Sequence, residues 1–295
     1  MTTFKEAASR KDFVVSSELF LHPESTAGTI GAQVQLLGDC VDGILLTDNQ
    51  DGRLHLDPLA AAAIVKAHGG DPIMQLACRN RNRIALLAEL LGAAALGISS
   101  LMLIRGNRVP EGFEPRPKAV FDVDAAELIA MASRIKTDVQ LPIQPNFYIG
   151  SLVTPHTPVP DWNPERLTRK VDAGAQFMLT HICMDLDILR AYMTNLVAAG
   201  ILRQLSVYVT IAIPASAEDA RFLANMRPNN RIPDALIARL DRAADAESEA
   251  IDICAELLRG LAEIPGIRGA HLVPTRNIAS VNAVIEKAGQ LPQAT

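Results

Sequence analysis

The stretch PIMQLACRNRNRIALLAELLGAAALGISSLMLIRG, residues 72–106, contains one complete unit of the fold. It opens on a short apolar run, PIMQLAC (72–78). A long aliphatic segment follows from about Asn82 to Gly97, and a second run, SSLMLIRG (99–106), closes the stretch. Short apolar runs read as strands, and an Ala/Leu-rich segment of this length reads as a helix. A strand, helix, strand order implies parallel strands joined by a crossover helix.

The same rhythm extends in both directions. Upstream lie FVVSSELF (13–20), a segment from Ser25 to Gly38, and GILLTD (43–48). Asp57-Pro58 then opens a helix as N-cap plus first-turn proline, and Gly69-Gly70 stops it. Downstream come a helix over about 123–136, the run PIQPNFYIG (142–150), and a helix from Asn163-Pro164 to about Gly174. FMLTHIC (177–183), a helix to Gly200 and LSVYVTIAI (205–213) follow. Two helical stretches (216–226 and 233–263), the run GIRGAHLVP (266–274) and a last helix at 278–288 complete the chain. Eight runs alternating with helices predict one α/β domain over residues 1–295, a (β/α)8 TIM-type barrel. No GxGxxG follows any run, which argues against an open dinucleotide-binding sheet.

Composition agrees with this. Of 295 residues, 49% are hydrophobic but only 4% aromatic, so aliphatic side chains are expected to fill the barrel interior. The net charge of −5 argues against nucleic acid and anionic membranes as partners. No apolar stretch approaches the length of a membrane span, and MTTFKEAASRKDF has no apolar core of a secretory signal. Cys40, Cys78, Cys183 and Cys254 are scattered and read as buried thiols in a reducing cytosol, so a cytoplasmic location is expected. Aliphatic outer helices leave room for a homo-oligomer.

In such barrels the chemistry sits at the C-terminal ends of the strands. The polar residues there are Glu18, Thr47-Asp48-Asn49, the arginines 79, 81 and 83, Arg105-Gly106-Asn107, Asn146 with Tyr148, Thr180-His181 and Thr275-Arg276-Asn277. Run seven ends in apolar Ile213-Pro214. Glu18 reads as a general acid/base or as the partner of a buried arginine. Arg79, Arg81 and Arg83 read as a clamp for phosphate or carboxylate, or as a solvated turn. His181 has no second ligand at metal spacing, so no metal site is expected. Cys183 reads as packing, and the acidic stretch 241–252 as a solvated face.

Several stretches, in this order, resemble the methylenetetrahydrofolate reductase family. They are SSELF (16–20), ILLTDN (44–49), MQLACRNRNRIALLAELLGAAALGISSLMLIRGN (74–107), RLTRKVDAGAQFMLTH (166–181) and HLVPTRN (271–277). KVDAGAQFMLT (170–180) is the most specific of them, and the likeness runs from Phe13 to Gly289. The resemblance implies an FAD-binding barrel that moves a hydride from NADH or NADPH through flavin to 5,10-methylenetetrahydrofolate. The product is 5-methyltetrahydrofolate, or the reverse in one-carbon catabolism. It implies Glu18 as the general acid that opens the methylene bridge, a role suited to a partly desolvated carboxyl. It places Thr47, Gln75, Arg105, Gly106, Asn107 and Lys170 at the flavin, although Lys170 by itself also reads as a helix-surface lysine. It places Glu18, Asn107, His181 and Arg276 at the folate.

The chain departs from the family pattern at four places. The family's Arg-Gly-Asp is Arg105-Gly106-Asn107, so a charge is expected to be lost, with a higher flavin potential and weaker stabilisation of a cationic iminium. Thr-Gln becomes Thr180-His181, Phe-Phe-Pro-Pro becomes Leu19-Phe20-Leu21-His22, and Asp124-Ala125 stands for a Tyr-Ala pair that packs the flavin. The alternative implied is a flavin-free pterin-dependent reductase, or a methyltransferase, on the same barrel.

Overall fold

A computed structural model describes residues 2–109, 114–138, 144–157, 159, 162–289 and 291. Eight parallel strands close on themselves in sequence order. They are β1 (Val14–Glu18), β2 (Gly43–Leu46), β3 (Pro72–Ala77), β4 (Ser100–Ile104), β5 (Tyr148–Val153), β6 (Phe177–Thr180), β7 (Ser206–Ile213) and β8 (Ile267–Pro274). Closure joins β1 to β8 in parallel, with Ser16 opposite His271. This is the expected (β/α)8 barrel. No helix among the described residues is long and apolar enough to cross a membrane.

The helices between strands are α2 (Ala27–Leu37), α3 (Pro58–Ala67), α4 (Arg83–Ala95), α5 (Ala125–Ile135), α6 (Glu165–Asp172) and α7 (Leu186–Ala198). Beyond β7 lie α8 (Ala217–Met226), α9 (Asp234–Arg242) and α10 (Ala246–Ala262), and α11 (Ser280–Ala288) follows β8. Local chemistry accounts for their starts. The carboxylate of Asp57 accepts the N–H groups of Leu59 and Ala60, and the Asn82 side chain accepts that of Ala85. The stretch 233–263 is two helices because Asp245 caps a new start at Ala246.

Two expectations need correction. The first helix, α1 (Phe4–Arg10), precedes β1, where no element is expected from the sequence. A reciprocal Thr3/Glu6 capping box starts it, and the Phe4 N–H donates to Asp71 at 2.8 Å. Phe4 thereby plugs the lower end of the barrel. Its ring lies 5.5 Å from that of Tyr208 and 5.8 Å from that of Phe177. Phe177 in turn stacks on Tyr148 at 4.7 Å. The barrel floor is therefore aromatic, where the expectation was aliphatic filling.

The fifth strand is the second correction. It begins at Tyr148, not in the proline-containing run before it, because proline cannot donate to a ladder. Residues 142 and 143 of the expected run lie outside the described residues. The floor fixes the register: a Cβ at Gly150 would stand 2.1 Å from the Phe177 ring. Tyr148 is consequently at the bottom, its hydroxyl 2.7 Å from that of Tyr208, and not at the chemical end. Asn146 precedes it and lies at the same lower end, where its carbonyl accepts from Lys5.

Candidate active site

Alternation along the strands sends every second side chain into the barrel. Above the aromatic floor this leaves a cavity of about 860 Å³ at the C-terminal strand ends. Glu18, Thr47, Gln75, Arg105, Gly106, Asn107, Lys170 and His181 all line it. Arg276 does not. Its guanidinium is exposed and donates to Asp219 at 2.8 Å, outside the cavity wall.

Glu18 ends β1 with its side chain only 15% exposed. Behind it stands His271 of β8. The His271 Nε2 is 3.9 Å from the Glu18 carboxylate, and its Nδ1 is 3.0 Å from the Ser16 hydroxyl. The Nε2 is buried and has no hydrogen-bond partner among the described residues. An imidazole nitrogen facing a partly buried carboxylate is placed to pass a proton to it. No arginine pairs with Glu18 among the described residues, so the buried-arginine alternative falls away.

The three arginines after β3 divide. Arg79 is 2% exposed and donates to the carbonyls of Asp48, Asn49 and Asn107. It ties the tops of β2 and β4 together. Arg81 pairs with Asp48, Asp57 and Glu89 and does not reach the cavity. Arg83 is exposed, near Asp122. Neither the clamp nor the solvated turn describes all three: two of the forks are used inside the protein. Gly106 follows from this packing, since its φ is +82° and a Cβ there would lie 3.0 Å from that of Arg79.

Other polar groups on the wall also have internal partners. His55 Nδ1 lies 2.7 Å from the Leu56 carbonyl and so carries the proton. Its Nε2 therefore accepts, from the Gln50 N–H and, at 3.4 Å, from the Thr47 hydroxyl. Lys170 is half-buried at the cavity wall, not on an open helix surface. Its ammonium donates to the Leu152 carbonyl at 2.6 Å, and burial lowers its pKa. Arg105 sits over the Phe121 ring at 4.2 Å. Asp124 caps α5 in a box with Glu127 and pairs with Arg169. Burial pushes the Cys183 thiol up to about 11 and Cys78 to about 12, consistent with packing roles, whereas Cys40, expected to be buried, is exposed in the turn after α2. Among the described residues no cluster could hold a metal ion.

His181 is held near 4, first by burial and then by the positive charges of Arg227 and Lys170. It is a neutral ring at physiological pH. Its folded pKa lies below the ordinary 6.5, so the unfolded chain binds the proton more readily. Its contribution to stability is present above about 6.5 and is lost as pH falls toward 4. His181→Gln is expected to flatten the fall in melting temperature over that window, as read by thermal melts at stepped pH. An unchanged slope would contradict the assignment.

Besides His271, five wall residues were not foreseen. Asp51, in the loop after β2, accepts from Asn107 at 2.7 Å and from Arg227 at 2.6 Å. The charge expected to be missing at position 107 is thus present one hydrogen bond away. Arg227 comes from the C-cap of α8, although run seven itself ends in apolar residues. Trp162 and Tyr192, with His156, form an aromatic cluster on the same wall, with ring centroids 5.2–5.9 Å apart. The only sequence signal was the Asp51-Gly52 turn pair.

A closed barrel with a large cavity that gathers an acid, a neutral histidine and several cations at the strand ends has the layout of a (β/α)8-barrel enzyme. The family model described as methylenetetrahydrofolate reductase matches residues 3–289, and the chain belongs to that family. No curated protein matches it in sequence. Among solved structures, it is similar to a Clostridium thermocellum protein described as binding two copies of 5-methyl-5,6,7,8-tetrahydrofolic acid. The TM-score is 0.70 at 13% identity, covering 97% of both chains. DmoA from Hyphomicrobium sulfonivorans follows at 0.55 and 10%, covering 94% of this chain and 86% of its own. A 2,3-dimethylmalate lyase of the PEP mutase/isocitrate lyase superfamily gives 0.51 and 11%, covering 98% and 85%. At these identities the neighbours establish the fold.

Proposed function

We propose that the chain interconverts 5,10-methylenetetrahydrofolate and 5-methyltetrahydrofolate, with NADH or NADPH as hydride donor and Glu18 as general acid. The observation that carries the reading is the Glu18–His271–Ser16 line facing the cavity. Family membership and the folate-binding neighbour support it.

Reduction of the methylene group takes one hydride and one proton. The Glu18 carboxyl gives its proton to the bridging nitrogen, the carbon–nitrogen bond breaks, and a cationic iminium accepts the hydride at carbon. His271 restores the Glu18 proton, and Ser16 orients the imidazole. At 3.9 Å the contact between His271 and Glu18 is long for a direct bond, and such contacts tighten when substrate binds.

The wall residues fit a flavin. Arg105 and Lys170 suit its polar oxygens, and Gly106 permits close approach of the backbone. When bound, a flavin supplies a two-electron carrier between dinucleotide and folate. Yet Thr47, Asn107, Lys170 and Asp124 already have partners within the protein, which a flavin must displace or do without. This pairing favours a second reading, direct hydride transfer from the dinucleotide in the same cavity. The protein purified without added flavin is expected to carry well under one equivalent of FAD, and to lose it on dialysis. A yellow, stoichiometric protein that survives dialysis contradicts the weak-binding expectation. Oxidation of NADH and of NADPH with 5,10-methylenetetrahydrofolate, with and without FAD, tests the function. Absence of turnover under all these conditions, together with absence of folate binding, overturns it.

A further inference from the structure

We propose that Asp51 reads the hydrogen-bond-donor edge of the substrate ring, with one carboxylate oxygen held by the protein and the other left for the ligand. This rests on the folate reading above. Three observations carry it.

The backbone places Asp51 deliberately. Its φ is +54°, and that of Asn49 in the same loop is +46°. Left-handed conformations disfavour residues other than glycine and persist where the surroundings over-determine them. Here the surroundings are Asn107 from the β4 loop and Arg227 from the end of α8, both donating to Asp51 Oδ1. These partners come from widely separated parts of the chain and leave the side chain lining the cavity.

The two oxygens are unequal. Oδ1 takes both protein hydrogen bonds, while Oδ2 takes none among the described residues. An ionised carboxylate only accepts, with about four lone-pair directions, so capacity remains on the cavity side. The reduced pterin of a folate presents a ring N–H beside an exocyclic amino group, two adjacent donors of the kind a carboxylate accepts. The Asn107 amide nitrogen cannot meet these donors, because it is itself a donor and points at Asp51.

The test uses Asp51→Asn, with binding of 5-methyltetrahydrofolate and of its analogue lacking the 2-amino group measured by calorimetry. The wild type is expected to prefer the amino compound. Asp51→Asn is expected to weaken it by about 10- to 100-fold, the range for a charge-assisted hydrogen bond, and to leave the desamino analogue within a few-fold. Combining Asp51→Asn with Asn107→Asp returns the charge across the same hydrogen bond and should recover most of the affinity, which a merely structural loop would not do. Equal weakening of both ligands, or no weakening of either, overturns the role of Asp51 while leaving the folate reading standing. A wild type that binds neither ligand overturns both.

Discussion

Glu18→Gln is expected to lower turnover of methylenetetrahydrofolate by about 100- to 10,000-fold, the usual span for removing a positioned proton donor. Folate binding should stay within a few-fold. Glutamine keeps the size and most of the hydrogen bonding of the side chain but has no proton to give. Glu18 lies at a strand end fixed on both sides, paired to β2 through Leu45 and with its neighbour Ser17 bonded to the Leu272 carbonyl of β8. The substitution should therefore leave the wall in place. Proton transfer occurs only on the way to the transition state, so the loss belongs in kcat and not in binding. Separate measurement of kcat and of the folate dissociation constant checks this. A kcat within twofold of wild type, or a loss confined to KM, removes Glu18 from the reaction.

The barrel was legible because each unit has its own punctuation. Asp57-Pro58 and the apolar runs at 43–48, 72–78 and 177–183 all fall where elements begin or lie. The fifth strand was not, because Gly150 and Ser151 interrupt the apolar pattern of Tyr148–Val153. Its position depends on the Phe177 ring filling the space above Gly150. The cavity followed from the strand-end rule wherever a residue sits on or just past a strand, as Glu18, Thr47 and His181 do. Asp51 and Arg227 are 176 residues apart, and their pairing depends on loops folding back over the barrel mouth. No local period encodes that. The arginines show the same limit from another side. Residues 79, 81 and 83 look alike in sequence, yet one ties carbonyls, one neutralises carboxylates and one is solvated.

That difference makes Arg81→Met the largest stability loss expected. Asp48 is fully buried, and its Oδ2 accepts from Arg81 at 2.6 Å and from the Ala77 N–H at 2.8 Å. Glu89 and Asp57 face the same guanidinium. Burial raises the Glu89 pKa and the Arg81 cation pulls it partly back down. Methionine preserves the apolar stem but leaves a buried charge unpaired, which costs about 3–5 kcal/mol. In a chain of this size that is a fall of roughly 6–20 °C in melting temperature at neutral pH. With the cation gone, the folded-state pKa of Glu89 rises further above its unfolded value. The folded variant then binds protons more readily, so its deficit should shrink as pH falls and grow as pH rises. Arg83→Met, which removes only an exposed pair, should stay within about 0.5 kcal/mol. Adding Asp48→Asn to Arg81→Met removes the unpaired charge but keeps an acceptor for the Ala77 N–H. The double variant should therefore be more stable than Arg81→Met alone, a coupling that a double-mutant cycle measures directly. An Arg81→Met protein that melts within about 2 °C of wild type at neutral pH would mean that water replaces the guanidinium at Asp48.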